Sequence, residues 1–347
     1  VTSPHTPPAA EDASPGTVTT FDAFARFAHT APPAPPQPGQ PGQPARSLEE
    51  RLAYHSQFVT VRTPAIESLS RSVRTLMILG RSQSVTARPS LIVTGPATTG
   101  KTTALLEVGR TCHLAHTRRA APDDTSVPVA YVLVPPGATA KTLACEFARY
   151  LGIPVTTRMT TAQITTAVCH TYTVAGVKLV LIDEIHRLNP RSSSGAEAAD
   201  WLKDLTERVG ATFVYAGIDV TASTVFSGVR GAQLAGRASL IDCGALPARA
   251  GEREPFRELI AAMEAALDLH SHRTGSLPRL APYLHERTAG RIGSLARLIR
   301  QAAIEAILDG QERITKTLLD SIALDHLAEE HYRPRTPASR RTRPSSR

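Results

Sequence analysis

Apolar and β-branched residues come in short runs through the middle of the chain: LIVT at 91–94, VAYVLV at 129–134, VKLVLI at 177–182, TFVYA at 212–216 and a weaker run near 239–242. Runs this short, with little polar alternation, predict strands buried on both faces. At least one helical stretch separates each run from the next. Strands alternating with helices mean a mostly parallel sheet covered by helices on both faces. Upstream, Leu52 and then Ile66, Leu69, Val73, Leu76 and Ile78 recur mostly at three- and four-residue steps, which predicts a helical lead-in from Ser47 to Leu79. After Pro247 the strand pattern stops. Residues 253–270, 278–289, 291–309 and 315–329 read as helices; in the third, Leu295, Leu298, Ile299, Ala302 and Ala306 share a face and Gly310 stands just past the end. The expected body is therefore an α/β domain over 47–247 followed by a small all-helical domain over 248–330.

Composition changes that picture at the two ends. Residues 1–46 are rich in Pro, Ala, Gly and Gln, with PPAPPQPGQPGQP at 32–44, and read as an extended, unfolded arm. Residues 331–347 carry six arginines and no acid, so the tail holds +6 of the formal charge of +8. Such a Pro- and Ser-laced tail cannot bury a core. A basic cluster of this kind contacts nucleic-acid phosphates through counterion release, or else is simply solvated. With 347 residues and 41% hydrophobic content the chain can hold about two domains, and no run of 18 apolar residues predicts a membrane span. No basic segment followed by an apolar one opens it, so no secretory signal is expected. Cys112, Cys145, Cys169 and Cys243 are scattered without a C-x-x-C pair, which argues against a zinc site or disulfide framework and for a cytoplasmic location.

The chemistry is concentrated in two stretches. In LIVTGPATTGKTTALLEVGR, residues 91–110, a strand runs into the G-x-x-x-x-G-K-[ST] phosphate loop (Walker A) and then into a helix. The glycines let backbone N–H groups turn inward around phosphates, and the helix points its positive end at them. Gly95, Pro96, Ala97, Thr98, Thr99, Gly100, Lys101, Thr102 and Thr103 thus form the candidate nucleotide-binding run. Lys101 is expected to reach the β- and γ-phosphates of ATP, and the Thr102 hydroxyl to ligate Mg2+. The second stretch, LVLIDEIHRL at 179–188, is an apolar strand ending in two acids (Walker B). Asp183 is expected to hold magnesium beside Thr102, with Glu184 orienting and activating the attacking water. The quartet Asp183 to His186 also fits the D-E-x-H pattern of superfamily-two helicases. Those need two recombinase-like domains, and the helical segment that follows is too short for a second.

The order phosphate loop, LVLIDEIHRL, FVYAGIDVTAS, QLAGRASLI and RTAGRIGSLARLIRQAAIEAILDGQERIT resembles AAA+ ATPases of the TniB and TnsC type, relatives of IstB. The likeness covers roughly residues 48–327. It implies a P-loop AAA+ domain with a C-terminal all-helical lid, and an ATPase that assembles as a nucleotide-dependent homo-oligomer on double-stranded target DNA and recruits or activates a separate transposase. It also implies that Arg237, in QLAGRAS, is an arginine finger reaching a neighbour's γ-phosphate, with Arg230 as its rival. An always-charged planar donor suits charge spread over phosphoryl oxygens. Arg291 or Arg297 is the corresponding second sensor, although Gly293 occupies the spot where the usual Gly-x-x-Arg pattern would place it. At the first sensor the sequence departs from the wider AAA+ pattern: the strand ends in Ala216, Gly217 and Ile218, and the nearest polar residues are Asp219 and Thr221. A slow ATPase acting as a switch is the expectation. For a DNA-coating ring, Lys141 and Arg149 in PPGATAKTLACEFAR offer positive side chains. The competing readings are a signalling or assembly ATPase that uses no DNA and a helicase-loader type of ATPase. The first of these normally appends a repeat domain, and no internal repeat of 20–50 residues is found.

Overall fold

A computed structural model describes residues 18–36, 46–57, 61–82, 88–121, 125–188, 192–220, 226, 235–247 and 254–332. Packing divides the chain into two compact units, one of residues 1–32 with 62–244 and the other of 33–61 with 245–347.

The first unit is built on a sheet of five parallel strands, β1 (Ser90–Thr94), β2 (Val129–Leu133), β3 (Leu179–Asp183), β4 (Thr212–Gly217) and β5 (Ala238–Asp242), in the order β2-β3-β4-β1-β5. Every residue of β1, β3 and β4 is buried, as unalternating apolar runs require. β5 is one of the two edge strands and, unlike β2 at the other edge, is largely uncovered, with Leu240 53% exposed, which is why its sequence signal is weak. Helices α3 (Pro64–Gly80) and α4 (Lys101–Thr117) pack on the sheet and on each other, while α5 (Ala140–Tyr150), α6 (Thr161–Val174) and α7 (Ser193–Arg208) form a second group joined to it through α5. This is the P-loop AAA+ α/β fold, and the second unit is its all-helical companion.

A nine-residue helix, α1 (Phe21–His29), lies inside the stretch expected to be an unfolded arm, and corrects that expectation. Thr20 caps it and Phe24 and Ala28 are fully buried against α4. Contact is close because residue 109 is glycine: a Cβ there would sit 2.7 Å from Leu181 Cδ1 and 2.9 Å from Phe24 Cζ. Arg110 of α4 then donates to the carbonyls of Ala28 and Thr30, each at 3.0 Å, and closes the end of α1. A helix this short is marginal by itself. Burial of Phe24, of order 1.5–3 kcal/mol, supplies what propensity does not.

The lead-in over 47–79 divides. α3 belongs to the sheet unit, but α2 (Leu48–Ser56), with a capping box from Ser47 and Glu50, packs with the C-terminal helices. Arg51, 4% exposed, ties it there by donating to both Glu312 carboxylate oxygens and to the Asp268 carbonyl. The C-terminal helices are α8 (Glu254–Ala265), α9 (Ser276–Arg279), α10 (Ala281–Thr288), α11 (Ile292–Leu308), α12 (Lys316–Ser321) and α13 (His326–His331). α8 stops at Ala265, short of residue 270, and in its last turn the Glu264 carboxylate accepts the N–H groups of Gly275 and Leu277 at the start of α9. The helix read over 315–329 is interrupted, with Ile322 extended and Asp325 capping α13 afresh. In α11 the face with Leu295, Leu298, Ile299, Ala302 and Ala306 is the buried one, and Gly310 follows in the left-handed conformation.

Candidate functional site

The phosphate loop leaves β1 at Thr94 and turns through three left-sided positions, Gly95 (φ 150°), Thr98 (φ 61°) and Gly100 (φ 87°). Gly95 admits no side chain, since a Cβ would meet the Cys243 carbonyl oxygen at 2.5 Å. α4 begins at Lys101 with Gly100 as its cap and no side chain satisfying its first N–H groups. Those donors, on Lys101, Thr102 and Thr103, and the positive end of the helix dipole are what an anion needs. Lys101 is 7% exposed and donates from Nζ to the carbonyls of Gly95 at 2.9 Å and Pro96 at 2.5 Å. Burial holds its ammonium below the usual lysine range, opposed by the nearby charges of Glu184 and Asp183. Among the described residues it has no ion-pair partner. A buried cation beside an uncapped helix start fits a polyphosphate. Thr99 Oγ1 donates to the Pro96 carbonyl at 2.9 Å and stiffens the loop, on which Ala97 is half-buried and Thr98 exposed.

Asp183, at the end of β3 and 1% exposed, gathers three donors: Thr102 Oγ1 at 2.6 Å and the Tyr131 hydroxyl at 3.0 Å on Oδ2, and the Glu184 N–H at 2.9 Å on Oδ1. The sequence-predicted pair Thr102 and Asp183 is thus brought together. Tyr131 was not foreseen; its signal is the lone hydroxyl in VAYVLV, on the strand that pairs with β3. Burial, reinforced by the charge of Asp183, pushes that hydroxyl above the usual tyrosine range, so it remains a neutral donor.

Glu184 takes a left-handed conformation at φ 60° and ψ 34°, a strain of about 1–2 kcal/mol for a non-glycine residue. That residue starts the single 3-10 turn Ile185–Arg187. Glu184 Oε2 lies 3.4 Å from His186 Nε2 and 3.3 Å from Arg187 Nε. His186 Nδ1 accepts the Ile218 N–H at 3.2 Å, just past the end of β4, and Arg187 Nη1 donates to the Val134 carbonyl at 3.0 Å, just past the end of β2.

The remaining predicted residues are dispersed. Arg237, on the turn before β5, has its side chain 48% exposed and 3.7 Å from Glu207. Within the chain it joins neither Lys101 nor Glu184 in any hydrogen bond or ion pair among the described residues. Arg230 and Thr221 lie outside the described residues, as do the arginines of the tail. Asp219 follows β4 with φ 44° and adds negative charge near Lys101. Arg291 caps α11 in the second unit, its Nη1 buried with no hydrogen-bond partner among the described residues, and Arg297 is exposed on the same helix. On α5, Lys141 donates to the Thr157 carbonyl at 3.2 Å and Arg149 pairs with Glu146 at 2.9 Å. Among the described residues, no helix is long and apolar enough to cross a membrane.

The sequence pattern of the family described as bacterial TniB protein matches residues 51–239, just over half of the chain. The chain belongs to the TniB family. The match runs from α2 to the start of β5 and includes the phosphate loop, Asp183, Glu184 and Arg237. No curated protein matches the sequence. Among solved structures, this TniB-family chain is similar to the Aeropyrum pernix ORC1 protein in complex with DNA, at TM-score 0.55 and 17% identity over 77% of this chain and 66% of that one. It is also similar to the ORC2 protein of the same organism in its ADPNP-ADP complexes, at 0.57 and 18% over 79% and 68%, and to Cdc6p from Pyrobaculum aerophilum, at 0.55 and 14% over 75% and 66%. At these identities the likeness is one of fold, and the chain spans about two thirds of the length of those structures.

Proposed function

We propose that this TniB-family chain is a slow, magnesium-dependent ATPase that assembles with copies of itself on double-stranded DNA and there recruits or activates a separate transposase. The observation that carries the reading is the convergence of Lys101, Thr102, Asp183 and Glu184 at the ends of two neighbouring elements, β3 and α4. Lys101 and the uncapped start of α4 bind the β- and γ-phosphates. Thr102 and Asp183 hold Mg2+, which supplies charge neutralisation of the phosphates when bound. Glu184 takes a proton from the attacking water. Membership of the TniB family supports a role in DNA transposition, and the similar fold of the Aeropyrum pernix ORC1 protein, whose structure is in complex with DNA, is in keeping with a DNA partner. A protein working on DNA in this way acts in the cytoplasm.

Electron microscopy of the chain with duplex DNA tests the reading. ATP or a slowly hydrolysed analogue should give ordered oligomers on DNA, and ADP should not. Equal assembly with every nucleotide, or assembly indifferent to DNA, would favour an ATPase that gates protein assembly alone.

The arginine-rich tail enters the same reading as a phosphate-contacting segment. Truncation after Tyr332 should leave ATPase activity intact, weaken DNA binding and make its salt dependence shallower. Each lost phosphate contact removes about 0.9 from the slope of log affinity against log salt. An unchanged slope would show that the arginines are merely solvated.

A further inference from the structure

The end of β4 carries no Asn or Thr side chain to face the nucleotide, because Ala216, Gly217 and Ile218 stand there. A polar group reaches that place from the neighbouring turn instead. Gly217 makes room for it: a Cβ would lie 3.0 Å from Ile185 Cγ2 and 3.1 Å from the His186 backbone nitrogen, so a side chain would crowd the strand end against the turn. With the two in contact, the Ile218 N–H points at His186 Nδ1. A ring nitrogen that accepts a hydrogen bond carries no proton, so a neutral His186 bears its proton on Nε2. That nitrogen faces Glu184 Oε2 at 3.4 Å.

We infer that His186 is a positioning residue for Glu184, standing in for the missing polar side chain of β4 and fixing the carboxylate relative to that strand's end. Arg187, anchored on the Val134 carbonyl, holds the same Glu184 oxygen from the side of β2. β3 lies between β2 and β4, so Glu184 is steadied from both neighbouring strands through Oε2. Oε1 is then the oxygen that takes the water proton. The inference rests on Glu184 being the base of the proposed hydrolysis.

Three substitutions of His186 in the full chain, assayed with ATP, Mg2+ and DNA, test it. Asn keeps an acceptor for the Ile218 N–H but is too short to meet Glu184, Gln keeps a donor toward Glu184, and Leu keeps neither. Leu and Asn should lower kcat about 10–100-fold, the range seen when a supporting partner of a reacting group is lost. KM for ATP and the melting temperature should stay near the parental values, and Gln should recover most of kcat. Parental kcat in the Asn variant would reduce His186 to an anchor of the strand end. Raised kcat in the Leu variant would mean that the pair restrains Glu184. Either result overturns the inference. A long-range 15N spectrum of the nucleotide-free chain gives a second readout that needs no turnover: Nδ1 should appear unprotonated, and Glu184→Gln should shift Nε2. A ring protonated at Nδ1 would sink the proposal. Failure of the underlying reading looks different, since the parental chain would then hydrolyse no more ATP than Glu184→Gln.

Discussion

Lys101→Ala should abolish ATP binding, whereas Glu184→Gln should bind ATP as tightly as the parental chain and fail to hydrolyse it. The split follows from where the two charges sit. Lys101 is a buried ammonium whose described hydrogen-bond partners are two carbonyls of its own loop, so its charge is free to neutralise phosphate. Removing it takes away the buried side-chain cation beside the phosphates and leaves the helix start to hold them with neutral N–H donors, and a hydrogen bond to an ionised group is roughly twice as strong as a neutral one. Gln in place of Glu184 keeps the size of the side chain and removes the base, a loss typically of about 100- to 10,000-fold in rate. Fluorescent-nucleotide titration and phosphate-release assays separate the two. Parental turnover in Glu184→Gln would assign water activation to another group, and tight binding by Lys101→Ala would remove the phosphate loop from the reading altogether.

Arg237→Ala should leave folding and nucleotide binding nearly unchanged and yet lower ATP-dependent assembly and hydrolysis, with a loss of about a thousandfold when a finger acts on a neighbour's nucleotide. Locally the side chain contributes little. Its contact with Glu207 is long, at 3.7 Å, and both partners are about half exposed, so the pair contributes less than about 1 kcal/mol to stability. An arginine so placed, apart from the phosphate loop of its own chain, is available to another copy. Mixing Arg237→Ala with Lys101→Ala is the decisive measurement, because one mixed interface then joins an intact loop to an intact finger. Partial recovery is expected. Co-assembly without recovery, or full activity of Arg237→Ala alone, would transfer the role to Arg230.

Much of this was legible along the chain because its signals are local. A buried parallel strand must be apolar at consecutive positions, so five runs announced five strands; a phosphate loop must place two glycines, a lysine and a hydroxyl at fixed spacing, so its residues could be named one by one. Asp183 and Glu184 were readable for the same reason, as acids at the tip of an apolar run. In α11 a single helical face foretold its buried side.

Other features depend on which segments become neighbours, and no spacing encodes that. The aromatic face of α1 is nine residues long among prolines, and it is a helix because α4 offers a glycine at 109 for Phe24 to fill. Arg51 draws α2 to the C-terminal helices through Glu312 and Asp268, residues more than 200 positions away. Tyr131 reaches Asp183 because β2 pairs with β3 in register, and His186 meets Ile218 because β4 lies on the other side of β3. The sequence by itself determined the strands, the phosphate loop and the two acids, since each is set by the chemistry of adjacent residues. Tertiary structure alone decided what holds those acids in place, because a hydrogen bond across strands exists only once the order β2-β3-β4-β1-β5 has brought its two ends together.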